Sequence, residues 1–202
     1  MRALFFRIGA PLFAMSIFPL VFVLLLFTMC DMTAGDHGRV RNFNNMPSVP
    51  IVLPWEVCVD QLTVRELAVP THRAMRWWQS QADRDGVPRD WFVASVVDFC
   101  EPSNLGQVYV GIAPPEIPNA VAQAAFLTNR LGDILYCDIS VAPEWAWVDE
   151  DTLELWLRHE FGHCMGLAHD EQGTGSIMEA PTDPDAELTD HDFALLTAVE
   201  EG

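Results

Sequence analysis

The chain predicts an α+β domain over residues 51–202, with a sheet packed on a long helix and a second helix closing the chain. Three observations carry that reading. Apolar, β-branched or alternating runs of strand length recur at 51–59, 91–99, 107–112 and 132–141. From residue 152 the period changes to that of a helix, with Leu153, Leu157, Phe161, Cys164 and Ala168 on one stripe and His159 and His163 turned away from it. Residues 189–200 then read as a capped helix with Phe193, Leu195, Leu196 and Val199 to bury.

Ahead of the domain, residues 8–29 form a run of 22 without a charge, preceded by Arg2 and Arg7. That length and flank define residues 1–30 as a signal peptide or membrane anchor, and the basic flank keeps the N-terminus in the cytoplasm so that the domain beyond it is exported. Cys30 leaves three alternatives open: a lipidated cysteine, an uncleaved anchor, or a simple cleaved signal. Each puts the domain outside the cytoplasm. Residues 31–50, with Gly35, Gly38, Pro47 and Pro50 and no apolar period, read as a linker. About 150 residues remain, enough for one domain with a real core.

Within the domain, 51–59 is the expected first strand, its pairing limited by Pro54. Residues 71–82 have helical spacing through Ala74, Trp77, Trp78 and Gln81, and the paired tryptophans read as a helix face covering the sheet rather than as a binding site. Strands follow at 91–99 and 107–112, the latter ended by Pro114 and Pro115. The alanine-rich stretch 119–129 is read as a loop leading into a short strand at 125–128. In 132–141, Leu135, Cys137, Ile139 and Val141 share one face and Asp138 lies on the other. Asp151 and Glu154 have capping-box spacing, which starts the next helix at Thr152.

That helix contains His159-Glu160-Phe161-Gly162-His163, continues to Gly166 and His169-Asp170, and is followed by Met178. One helical turn brings His159 and His163 to the same metal, with Glu160 beside them. Catalytic zinc takes three protein ligands, and Gly166 lets the chain leave the helix so that His169 supplies the third. The pattern H-E-x-x-H-x-x-G-x-x-H with a later methionine resembles the metzincin zinc peptidases. Phe161-Gly162 and the short domain are most similar to matrixins, whereas Asp170 is similar to the adamalysins.

The resemblance implies a metzincin-like twisted mixed sheet packed on the active-site helix, with an edge strand near 125–128 and a C-terminal helix after the methionine turn. It also implies a zinc-dependent endopeptidase with one catalytic Zn²⁺ on His159, His163 and His169, and Glu160 as general base toward a metal-activated water. Met178 would form an apolar floor beneath the histidines. An extended peptide would pair along the edge strand, with Pro181 and Pro184 stiffening the wall of a specificity pocket. Glu179-Ala180-Pro181 offers no tyrosine ligand after the methionine, and the matrixin cysteine switch is missing before the domain. The alternative is a membrane-tethered, zinc-stabilised binding domain without peptidase activity.

The net charge of −18, with eleven arginines and no lysine, excludes nucleic acid as the expected partner, because phosphate neutralisation needs basic clusters. A protein or peptide substrate and a monomeric state are expected, with membrane attachment through the N-terminal segment. Asp183, Asp185, Glu187, Asp190 and Asp192 offer oxygen ligands for Ca²⁺ but lack EF-hand spacing, so they read as a solvated loop. Asp170 either pins the loop after the third histidine, orients a ligand, or lies on the surface. An exported domain favours disulfides, and Cys137 and Cys164 both fall on faces that meet at the helix-sheet interface, which leaves Cys58 with Cys100.

Overall fold

The computed structural model describes residues 54–60, 62–97, 105–129, 133–170, 172–180 and 182–198. The expected signal or anchor segment and the linker lie outside them, as do Cys100 and Pro181. The elements run β1 (Trp55–Val59), α1 (Val64–Gln81), β2 (Phe92–Val97), β3 (Gln107–Ile112), β4 (Ala122–Thr128), β5 (Ile134–Val141), α2 (Glu150–Cys164) and α3 (Asp190–Ala198). The five strands form one mixed sheet in the order β2-β1-β3-β5-β4. Only β4 runs antiparallel, pairing with β5 at the edge, and the other neighbours are parallel.

Register decides which side of the sheet is covered. Val57 pairs with Val108, Val108 with Cys137, and Phe126 with Cys137, so these residues share a face, as do Val110, Ile139 and Ala124. That face enters one apolar core with Leu67, Met75 and Trp78 of α1 and Leu153, Leu157 and Phe161 of α2. The opposite face carries Tyr109, Asp138 and Ser140, and burial beneath its neighbours pushes the Asp138 carboxyl above its usual range against the pull of bonds from Tyr136 and Ser140. Asp138 therefore lies opposite the core face as expected. Leu135, assigned to the core face, is replaced there by Ile134, which is fully buried while Leu135 is only partly so.

Helix α1 is longer than its sequence pattern predicts. It begins at Val64, seven residues before the expected start, and runs through Pro70. Proline removes one backbone donor and normally ends a helix. Here the stripe Leu67, Thr71, Ala74, Met75, Trp78 and Ala82 is buried along its whole length, and that packing overrides the local preference. The two tryptophans, expected to cover the sheet, also join the helix pair. Trp78 is fully buried and donates Nε1–H to the Arg158 carbonyl of α2 at 2.8 Å, while the Arg158 guanidinium stacks over Trp77 at 4.9 Å.

Helix α2 starts at Glu150, two residues before the expected position, because Asp149 is its N-cap. Its carboxylate accepts both Thr152 N–H and Thr152 Oγ1–H at 2.9 Å, whereas Asp151 turns out to Arg73 of α1 at 3.1 Å. The stretch at 122–128 is a strand that starts three residues earlier than expected, paired with β5 along its length apart from an irregularity at Leu127/Thr128. Its alanines suit the position because α2 lies against this strand. In α3, Leu196 is buried but Leu195 is 48% exposed, so only part of its expected apolar face is used. The expected continuation to Val199 lies outside the described residues. No helix among the described residues is long and apolar enough to cross a membrane.

A disulfide joins Cys137 of β5 to Cys164 at the end of α2, with both residues fully buried. Cys58 is also disulfide-bonded. The Cys137–Cys164 link closes a loop between positions 27 residues apart. Replacing both cysteines by alanine should lower the unfolding free energy by about 3 kcal/mol, as expected for a loop of that size. Urea denaturation without reductant measures it, and an unchanged midpoint would show that the helix end is held by packing alone.

Candidate metal centre

Two of the three histidines are placed by helix geometry and the third by a glycine. His159 and His163 stand one turn apart on α2. The helix then ends in a Schellman arrangement: Gly166 has φ +92°, its N–H reaches the His163 carbonyl and Leu167 N–H reaches the Gly162 carbonyl, both at 2.9 Å. Only glycine adopts that φ without strain. The reversal carries His169 back over the helix, where its Nε2 lies 3.1 Å from Nε2 of both His163 and His159. Among the described residues these three are the one group of His, Cys, Asp or Glu whose atoms converge as metal ligands do.

The hydrogen bonds on the far side of the rings fix what those nitrogens present. His159 Nδ1 bonds the Ile177 carbonyl and His163 Nδ1 bonds the Leu167 carbonyl, each at 2.8 Å. Carbonyls only accept, so both Nδ1 atoms carry the proton and both Nε2 atoms present lone pairs. His169 can donate to one of them, not to both. Burial, followed by the neighbouring His169, pushes the His159 imidazole down to about 4, and burial with the two neighbouring imidazoles holds His163 well below its ordinary value. The His159 and His163 rings are thus neutral, each with an Nε2 lone pair turned to the cluster. The edge of a tetrahedron with metal–nitrogen bonds of about 2.0–2.1 Å is about 3.3–3.4 Å. The observed 3.1 Å separations lie close to it, and the donor set fits zinc.

Glu160 lies beside this cluster and is 1% exposed. Burial pushes its carboxyl up to about 8, while a hydrogen bond from the Ala124 backbone N–H pulls the other way. Its Oε2 is buried and has no hydrogen-bond partner. A desolvated carboxyl oxygen without a donor binds a proton more tightly than a solvated one, and a pKa near neutrality suits a group that gives and takes protons. Ala124 belongs to edge strand β4. Because Ala142 N–H bonds the Val121 carbonyl at 2.9 Å, the backbone groups of odd-numbered residues of this segment face β5, and those of Ala124 point away from it. Glu160 therefore touches the edge strand at Ala124, just before the 125–128 stretch.

The turn at Met178 adjoins the cluster through the Ile177 carbonyl, which bonds His159. Met178 is fully buried, and its carbonyl accepts Asp170 N–H at 2.9 Å. The Asp170 carboxylate accepts from Gln172 N–H at 2.8 Å and from the Thr174 hydroxyl, so of its three expected roles it takes that of pinning the loop. A Cβ added to Gly162 would overlap the Met178 sulfur and press on Trp78. Glycine is needed there for closeness, not for dihedral freedom. The acidic residues after the turn work separately: Asp183 accepts Asp185 N–H at 2.8 Å, Asp190 pairs with Arg84 at 2.6 Å, and Asp192 is buried against Thr189.

Sequence reasoning missed the groups that hold the rings. The Ile177 and Leu167 carbonyls and the Ala124 N–H are backbone atoms with no residue signature. Thr182, whose Oγ1 lies 3.2 Å from His159 Nδ1, was equally unmarked. No protein-family model matches the chain, and no curated protein is significantly similar to it. Function must therefore be argued from the geometry. Gly162→Ala should cost about 1–3 kcal/mol through overpacking. In a double-mutant cycle with Met178→Ala, measured by chemical denaturation, the two losses should be clearly less than additive.

Proposed function

We propose that this chain is a zinc-dependent endopeptidase of the metzincin kind. The observation that carries the reading is the convergence of three imidazoles beside a buried carboxyl oxygen of Glu160 that has no partner. A site built only to hold a structural metal has no use for such an oxygen. Zinc on His159, His163 and His169 would polarise a peptide carbonyl and acidify water toward neutral pH. Glu160 takes the proton of the attacking water at Oε2 and passes it to the amine that leaves. Ile177 and Leu167 keep the His159 and His163 rings in the tautomer that ligates.

The substrate is proposed to be an extended polypeptide. β4 is an edge strand of the sheet, and an added strand would lie alongside it and across Glu160. Ala124 N–H already serves Glu160, so pairing at that residue would replace this bond. The cluster opens toward solvent on the side of His163 and His169, which are only partly buried. Export of the domain is supported by its disulfides and by the apolar segment at 8–29.

Two variants test the assignment. His163→Ala should lose most of the bound zinc, measured by metal analysis of the purified chain, and retention of a full equivalent would remove His163 from the ligand set. Glu160→Gln should keep zinc yet cleave an undirected peptide library more slowly by a factor of about 10² to 10⁴. Wild-type protein that holds zinc and cuts nothing would favour the zinc-stabilised binding domain instead.

A further inference from the structure

Ser176 is fully buried and hydrogen-bonded on two sides. Its hydroxyl donates to Asp192 Oδ2 at 2.7 Å and accepts Met178 N–H at 2.9 Å. Met178 N–H belongs to the same peptide plane as the Ile177 carbonyl, which accepts His159 Nδ1–H at 2.8 Å. A peptide group is rigid, with its N–H and C=O pointing in opposite directions. Fixing the N–H on Ser176 therefore aims the carbonyl at His159.

Asp192 in turn is held at the start of α3, where it accepts Thr189 N–H at 3.0 Å and Thr189 Oγ1–H at 2.7 Å. With Thr189 three residues ahead of it, this is the capping arrangement of that helix. Arg84 ties the same helix start to the end of α1 through the Leu188 carbonyl and Asp190, both at 2.6 Å. A chain of contacts thus runs from the C-terminal helix to one metal-ligating ring. His163 is held differently, by a carbonyl four residues along its own chain.

The geometry points to Ser176 as a positioning residue for the metal centre: anchored on Asp192, it sets the peptide plane whose carbonyl orients His159. The inference rests on the zinc-site reading and deepens it. Loss of the Ser176 hydroxyl frees the 177–178 peptide to rotate and leaves His159 Nδ1–H with a poorer acceptor. Ligand orienters of this sort change metal affinity by about 10- to 100-fold, and one acting through a peptide plane belongs at the lower end.

The test compares full-chain Ser176→Ala with Thr189→Ala. The first breaks the link to the turn, and the second weakens the α3 cap while leaving the Ser176–Asp192 bond in place. Zinc loss to a chelator is timed, the visible spectrum of the Co²⁺-substituted protein is recorded, and thermal midpoints are measured alongside. Ser176→Ala should lose zinc roughly tenfold faster with a shifted Co²⁺ spectrum, and Thr189→Ala should lower the midpoint with little change in either metal readout. If Ser176→Ala does not fold, Ser176→Cys, nearly isosteric and a weaker hydrogen-bonding group, takes its place with the same expectation. Wild-type rates and spectrum in the Ser176 variant, or equal changes in both variants, would overturn the inference. A wild-type chain that binds no zinc brings down the metal-site reading itself, whereas one that binds zinc with Ser176 indifferent brings down only this step.

Discussion

His169 Nε2 lies within hydrogen-bond distance of Nε2 of both His159 and His163 but can donate a proton to only one of them, and the rest of the molecule is arranged to hold the three rings there. Lone pairs at 3.1 Å repel unless a cation lies between them, so each ring must be locked from behind. The Ile177 carbonyl locks one and the Leu167 carbonyl another. Neither lock works unless helix α2 is itself immobile. Its first turn is tied to α1 through Arg73 and its middle through Trp78, while its last turn is bonded covalently to the sheet through Cys164.

The carboxylate of Glu160 follows the same logic with opposite sign. Placing an acidic group where almost no solvent reaches raises its proton affinity, and the Ala124 N–H offsets only part of that cost. The strand that supplies this N–H is also an edge strand of the sheet. The Glu160 carboxyl and the sheet edge thus meet in one contact between α2 and β4, so their separation is set by the packing of alanine side chains against the helix rather than by a loop.

How much of this was legible in the sequence depended on range. The two α2 histidines, the glycine exit and His169 follow from local spacing, and the structure brings them together as that spacing requires. The Cys137–Cys164 link followed from two periodic faces that had to meet. Features controlled by distant packing were hidden. Pro70 disguised the first turns of α1 because proline stops a helix unless buried contacts outweigh it. The alanines of β4 looked ambivalent because small residues there answer to α2, several tens of residues later. The Asp149 cap was missed because Asp151 and Glu154 matched the capping rule equally well on paper. The carbonyls that orient the rings have no signature in any side chain.

The contact between Gly162 and Met178 has a consequence for how such a chain can diverge. The helix surface at Gly162 and the thioether of Met178 fill a single space from opposite sides, with Trp78 forming its third wall. Any enlargement at one position must coincide with a reduction at another, and single steps in either order pass through an overfilled or a hollow intermediate. Positions 78, 162 and 178, far apart along the chain and contributed by α1, α2 and the turn, should therefore vary as a group among descendants of this sequence. Side-chain volume is the quantity they trade.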